Sequence, residues 1–133
     1  MSGNFFDSNV ILYLASDNEA KSQRAEQLLN RGGMISVQVL NECTNVLRTK
    51  RAMQWPDVRD FLSGLRVRLK LQPLTLEIHE SGLRLAERYG FAIYDSFIVA
   101  AALAADCDTL WSEDMQHGMV IDQRLRIANP FQA

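Results

Sequence analysis

The chain has 133 residues, of which 47% are hydrophobic and 23% are charged, and its formal net charge is −2. This length and composition are typical of one globular domain with its own core, so we predict a single domain over residues 1–133. The negative charge argues against a protein that binds nucleic acid through bulk positive charge, but it permits a nuclease whose acids lie in one cleft. No apolar run approaches the length of a membrane span.

Two features predict a cytoplasmic protein without a membrane partner. Cys43 and Cys107 lie far apart and form no metal-binding or redox spacing, which indicates buried, reduced cysteines. Residues 1–4 lack the basic segment that opens a secretory signal, so we expect no such signal.

Short apolar runs alternate with amphipathic segments along the chain. The first run ends at Asp7 and leads into a helical segment over residues 10–14, and further strands are predicted at 34–35, 71–74, 109–111 and 119–121. The predicted helices between them begin near Asn18, Ser36, Pro56 and Thr75, and Gly90 ends the last of these. This alternation predicts an α/β fold with a mostly parallel central sheet between two layers of helices, an α/β/α sandwich.

Residues 94–105 predict the most buried helix, because alanine and leucine dominate them and neither Gly nor Pro interrupts them. Asp95 stands at the start of this helix, with no basic residue nearby in sequence. Its carboxylate could cap the helix by accepting a backbone N–H, or it could ligate a metal ion. Taken alone, the position favours the cap.

Three other acids are expected near Asp95. Asp7 and Asp114 each follow a predicted strand, and sites in open α/β sheets form beyond the carboxyl ends of the strands. Glu42 shares part of the apolar stripe of its helix, so it either faces inward or reaches solvent at the edge of the stripe. Converging carboxylates repel one another, and a cation that prefers oxygen ligands, Mg²⁺ or Mn²⁺, removes that repulsion. Such a site suits phosphodiester hydrolysis.

At these positions the chain resembles the PIN domain family, and more narrowly the VapC-type toxins of prokaryotic toxin–antitoxin pairs. The segments that carry the resemblance are residues 7–9, Glu42, residues 94–101 and residues 112–118. It implies a metal-dependent endoribonuclease that leaves a 5′-phosphate and a 3′-hydroxyl. It also implies a homodimer that a small antitoxin inhibits.

The resemblance assigns roles to individual residues. Four acids match the family's catalytic and metal-binding positions: Asp7, Glu42, Asp95 and Asp114. Asn9 and Ser112 match the polar positions that support them. The chain departs from the family at Ser8, where Thr is frequent, and at residues 116–117, where some members carry a further acid. His117 could instead contact a substrate phosphate.

Other interpretations of the acids are weaker matches. A haloacid-dehalogenase-type phosphatase requires a second Asp where this chain has Asn9, and a phosphoacceptor receiver domain requires a late lysine, whereas none follows Lys70. A non-catalytic PIN-like module that binds RNA or protein stays open, although it would have no reason to keep four acids. Basic residues between positions 48 and 70 either contact an RNA backbone or form a solvated helix face.

Overall fold

Six short strands form one sheet in the computed structural model, which describes residues 3–132. In chain order they are β1 (Asn4–Phe6), β2 (Met34–Ser36), β3 (Lys70–Gln72), β4 (Thr109–Trp111), β5 (Val120–Ile121) and β6 (Leu125–Ala128). Across the sheet the order is β3-β2-β1-β4-β6-β5, and only β5 runs antiparallel to its neighbour. The predicted mostly parallel sheet is therefore confirmed.

Helices flank this sheet and complete the predicted α/β/α arrangement. They are α1 (Ser8–Leu12), extended by a 3₁₀ turn (Tyr13–Ala15), then α2 (Glu19–Leu29), α3 (Val37–Thr49), α4 (Trp55–Arg68), α5 (Leu76–Tyr89) and α6 (Ile93–Ala104). Both cysteines are buried and free, as predicted. No helix among residues 3–132 is long and apolar enough to cross a membrane. Met1 and Ser2, in the stretch expected not to be a secretory signal, and Ala133, the last residue of the predicted domain, lie outside the described residues.

The predicted helix boundaries follow from local capping. The side chains of Asn18, Ser36 and Thr75 each accept a hydrogen bond of 3.2 Å from the backbone N–H three residues later. Each therefore satisfies one of the N–H groups that the first helical turn leaves without a partner. Gly90 ends α5 in the left-handed conformation, with φ of 77°, which glycine adopts without a steric penalty.

Two strand predictions were wrong. The third strand covers Lys70–Gln72 rather than residues 71–74, because Pro73 has no N–H to donate to a ladder. Residues 119–121 do not form the last strand, since β6 follows and pairs with both β4 and β5. The turn between β5 and β6 contains Asp122 and Gln123, both with positive φ, and this non-glycine turn concealed the hairpin.

The helix that carries Asp95 is deeply buried, as predicted. Residues 98–103 of α6 are all buried, and α6 makes a close contact with α5 at Phe97. A Cβ atom at Gly82 would lie 2.3 Å from a ring carbon of Phe97, so only glycine permits this approach. The cap predicted for Asp95 is wrong: Ala92 occupies the N-cap position without a side-chain hydrogen bond, and Asp95 lies in the first turn.

Candidate metal centre

Asp7 lies at the centre of a hydrogen-bond network at the carboxyl edge of the sheet. It directly follows β1 and is buried. Its Oδ1 accepts a bond of 2.7 Å from the Ser8 N–H, which makes Asp7 the cap of α1. Its Oδ2 accepts bonds from the Ser112 hydroxyl, at 2.7 Å, and from Asn9 Nδ2, at 3.2 Å. Ser112 reaches Asp7 because it follows β4, which pairs with β1.

This environment opposes the charged form of Asp7. Burial raises the pKa of its carboxyl group from 3.8 to about 7, although hydrogen bonds from Ser112 and Ser8 act in the opposite direction. The negative charges of Asp95 and Glu42 raise this pKa further. The fold thus places two other predicted acids close enough to act on Asp7, and it makes an isolated Asp7 anion costly.

Glu42 is held toward Asp7 by two side chains. It lies half-buried on α3, where its Oε1 accepts a bond of 2.7 Å from the Ser8 hydroxyl. Its Oε2 accepts a bond of 3.0 Å from Gln38 Nε2, one helical turn earlier. The same Ser8 hydroxyl lies 3.5 Å from Asp7 Oδ1. Glu42 therefore faces Asp7, and Ser8 connects the two acids.

Asp95 and Asp114 extend the group toward solvent. Partial burial raises the pKa of the half-buried Asp95 carboxyl group, and the charges of Glu42 and Asp114 raise it further. Asp114 is exposed and lies two residues after Ser112. The four acids from four segments are thus electrostatically linked at one edge of the sheet.

None of these four acids has a basic partner in the described part of the chain. The ion pairs among residues 3–132 use other carboxylates, namely those of Glu26, Asp106, Glu113 and Asp122. Four linked carboxylates without a counter-charge repel one another, and a bound cation would offset that repulsion.

The donor chemistry suits an oxygen-preferring divalent cation. All four side chains offer carboxylate oxygens, the ligands that Mg²⁺ and Mn²⁺ prefer. Within residues 3–132, no three His, Cys, Asp or Glu side chains form a ready-made metal cage. Mg²⁺ does not require such a cage, because it keeps several waters and is bound through one or two carboxylates. The residues therefore fit a partly hydrated ion.

Comparison with known proteins decides the family. The sequence pattern of the PIN domain matches residues 5–118, which include all four acids. The chain belongs to the PIN domain family. No curated protein matches this PIN domain in sequence.

Solved structures share the fold of this PIN domain at low sequence identity. A toxin–antitoxin complex from Klebsiella pneumoniae matches with a TM-score of 0.74 and 20% identity, over 98% of this chain and 100% of that chain. VapBC2 from Rickettsia felis, bound to a promoter DNA fragment, matches with a TM-score of 0.69 and 18% identity, over 95% and 97%. VapC20 from Mycobacterium tuberculosis, a sarcin-ricin loop cleaving toxin, matches with a TM-score of 0.67 and 16% identity, over 81% and 87%.

Sequence reasoning missed two polar neighbours of the acids in this PIN domain. Gln38 binds Glu42, and its spacing of four residues along a helix is a signal that could have revealed it. The second neighbour is Glu113, whose N–H donates a bond of 3.0 Å to Asn9 Oδ1. Its carboxylate pairs with Lys21, 92 residues away in sequence, and no local pattern indicates such a contact.

The other candidates for substrate contact, the basic segment and His117, form hydrogen bonds within the protein. In the basic segment, Arg51 donates bonds of 3.0 and 2.9 Å to carbonyls at the end of α1 and of the 3₁₀ turn. Arg48 bonds a carbonyl at 2.7 Å and lies 4.4 Å from the ring centre of Trp55. These contacts favour a structural role for both arginines. His117 is exposed, and its Nδ1 accepts a bond of 2.9 Å from the Asn129 N–H; its contact with substrate stays a prediction.

Proposed function

We propose that this PIN domain is a Mg²⁺- or Mn²⁺-dependent endoribonuclease and the toxin of a toxin–antitoxin pair. The observation that carries the proposal is the environment of Asp7. Its carboxyl group is buried beside Glu42 and Asp95, its pKa is raised to about 7, and it has no basic partner in residues 3–132. Such groups are frequent at catalytic sites.

The chemistry assigns distinct roles to the residues around the four acids. Asp7, Glu42, Asp95 and Asp114 would hold the cation, one or two of them directly and the others through its water molecules. A bound divalent ion lowers the pKa of a coordinated water and offsets charge on a phosphodiester. Ser112 and Asn9 hold the Asp7 carboxylate in place, and Ser8 and Gln38 hold that of Glu42. Fixed carboxylates of this kind need little rearrangement during the reaction, which favours catalysis.

The predicted partners follow from the family and from the surface around Asp95. Two of the similar structures are toxin–antitoxin assemblies by name, which supports an antitoxin partner for this chain. Ile93 and Tyr94 directly precede Asp95 and are 51% and 65% exposed. An antitoxin that covered the acids would bury both side chains. The homodimer, the cytoplasmic location and the absence of a membrane partner belong to the same proposal.

Loss of single carboxylates tests the proposed activity. We expect Asp7→Asn and Asp95→Asn to abolish cleavage of total cellular RNA in Mg²⁺ or Mn²⁺ while the fold, followed by circular dichroism, stays intact. Asp122→Asn is the matched control, because the Asp122 carboxylate is paired with Arg84 and is not one of the four acids. Cleavage at the parental rate by Asp7→Asn or Asp95→Asn would refute the site assignment.

A further inference from the structure

A lysine ion pair lies next to the hydrogen-bond network of Asp7. Asn9 connects the two, because its Nδ2 donates to Asp7 while its Oδ1 accepts from the Glu113 N–H. The Glu113 carboxylate then forms an ion pair with the Lys21 ammonium group. The network that fixes Asp7 therefore continues to a positive charge at the surface.

Two aromatic rings enclose this charge. Lys21 Nζ lies 5.0 Å from the ring centre of Tyr13 and 5.1 Å from that of Phe131, and these rings meet edge to face with centres 4.9 Å apart. The Tyr13 hydroxyl donates a bond of 2.6 Å to Glu113 Oε1. The segment before Phe131 is also anchored, since the Pro130 carbonyl accepts a bond of 3.0 Å from the Arg24 side chain on α2.

The cluster retains binding capacity toward solvent. The Lys21 side chain is 34% exposed, and both rings are partly exposed. An ammonium group has three N–H donors. In the described residues, Lys21 Nζ contacts Glu113 and, at 3.3 Å, the Tyr13 oxygen, so one donor is free for a ligand.

A phosphate backbone is the ligand that this arrangement suits. Four unpaired carboxylates repel an approaching phosphodiester, and the chain as a whole is negative. The Lys21–Glu113 pair adds no net charge beside them, but the free N–H of its ammonium group gives a phosphate one hydrogen-bond donor at this point. A positive group combined with exposed aromatic rings is how proteins bind single-stranded nucleic acids, through phosphate contact and base stacking.

We propose that Tyr13, Lys21 and Phe131 form a nucleotide-binding subsite for single-stranded RNA. Lys21 contacts a phosphate next to the scissile one, and Phe131 stacks on a neighbouring base. Glu113 orients the ammonium group. This inference rests on the proposed ribonuclease function and adds to it the residues that position the substrate.

The competing explanation is a structural clamp that only ties the C-terminal segment to α2. The two differ in what they predict for Glu113→Gln. If the cluster is only a clamp, Lys21→Gln and Glu113→Gln should have the same effect, because each removes the ion pair. If the cluster binds RNA, Glu113→Gln should do less harm, because it keeps the positive charge of Lys21. Salt dependence reports this charge, because each phosphate contact to a single strand contributes a slope of about 0.7 to the plot of log K against log salt.

The test uses the full chain with Asp7→Asn to prevent cleavage, and a labelled, mixed-sequence single-stranded RNA oligonucleotide. We expect Lys21→Gln to weaken binding about tenfold and to lower the salt slope by about 0.7. Phe131→Ala should weaken binding by a similar factor. Lys21→Arg should restore most of the affinity, and Glu113→Gln should keep the salt slope. Arg31→Gln is the matched control and should change nothing, since Arg31 is an exposed cation that precedes β2, at the edge of the sheet opposite to the acids.

The outcomes separate this proposal from the ribonuclease itself. If the wild type cleaves RNA but Lys21→Gln binds with unchanged affinity and salt slope, the subsite is wrong and the nuclease stands. Equal losses in Lys21→Gln and Glu113→Gln, accompanied by equal drops in melting temperature, would establish the clamp instead. If the wild type does not cleave RNA, both proposals fail.

Discussion

Asp7 and Asp122 are acids just beyond strands of the same sheet, yet the fold treats them in opposite ways. At Asp122, partial burial acts to raise the pKa, but hydrogen bonds from Tyr89 at 2.9 Å and from Arg84 at 3.1 Å hold the pKa below its ordinary value. At Asp7, burial and two neighbouring acids outweigh the hydrogen bonds and raise the pKa to about 7.

The difference lies in the counter-charge rather than in the acid. Asp122 has an arginine, so the folded protein stabilises its anion without help. Asp7 has only neutral donors, namely a backbone N–H, the Ser112 hydroxyl group and an amide. These donors orient the carboxylate but do not neutralise it. Paired acids such as Asp122 therefore stabilise the fold by themselves, and the lack of a counter-charge at Asp7 is the reason why we propose that Asp7 binds a cation.

The largest expected effect is on catalysis by an unpaired acid. We expect Glu42→Gln to lower the rate of RNA cleavage about a thousandfold or more, equivalent to about 4 kcal/mol of activation free energy. Glu26→Gln is the matched change on a helical glutamate that is paired with Arg68, and it should leave the rate unchanged. Comparable losses in both variants would remove the distinction between the two kinds of acid.

In the presence of a metal chelator, the unpaired Asp7 should make the stability of the protein depend on pH. Because the folded-state pKa of Asp7 lies above its unfolded value, the folded state binds more protons, so Asp7 makes the protein less stable as pH rises. Between pH 4 and pH 7 the loss in unfolding free energy is about 3 kcal/mol. Urea titrations of the wild type and Asp7→Asn would measure it. The unfolding free energy of Asp7→Asn should not show this fall with pH. If the unfolding free energies of the two proteins fell in parallel with pH, Asp7 would not have the raised pKa.

A smaller effect is expected from the hydroxyl group between two acids. Ser8→Ala removes the bond to Glu42 Oε1 and should lower the cleavage rate about tenfold, as loss of a group that orients a metal ligand does. Ser8→Thr keeps the hydroxyl and should retain most of the activity. A rate for Ser8→Ala equal to that of the wild type would show that Glu42 needs no such support.

The smallest effect is expected where an acid already has its partner. Arg84→Ala removes the ion pair with Asp122, but the arginine side chain is 52% exposed. Exposed pairs contribute about 1 kcal/mol or less, so the melting temperature should fall by a few degrees at most. Tyr89 still donates to Asp122 in this variant. A much larger drop would show that this ion pair carries more of the stability than the account assigns to it.

The parts of the candidate site that depend on short stretches of sequence could be predicted. Asp7 and Asp114 were expected at the carboxyl edge because they follow strands of a parallel sheet, and Ser36 and Thr75 predicted helix starts because capping acts over three residues. Asp95 does not cap α6, because the helix begins at Ile93, two residues before Asp95, with Ala92 at the N-cap position.

Contacts between distant segments were beyond sequence reasoning. Ser8 and Glu42 are 34 residues apart, and Lys21 and Glu113 are 92 residues apart. Neither pair has a spacing that any helix or strand period would favour. The strand β6 was missed for a related reason, since its place beside β4 depends on a pairing and not on its four residues alone.

Calorimetric titration with Mn²⁺ is the decisive experiment for the proposed metal site, because it detects binding of the cation without requiring the cognate RNA. We expect the wild type and Asp122→Asn to bind the ion at neutral pH, and Asp7→Asn and Asp95→Asn to bind it much more weakly or not at all. Failure of the wild type to take up the ion would contradict the account and favour a non-catalytic PIN-like binding module.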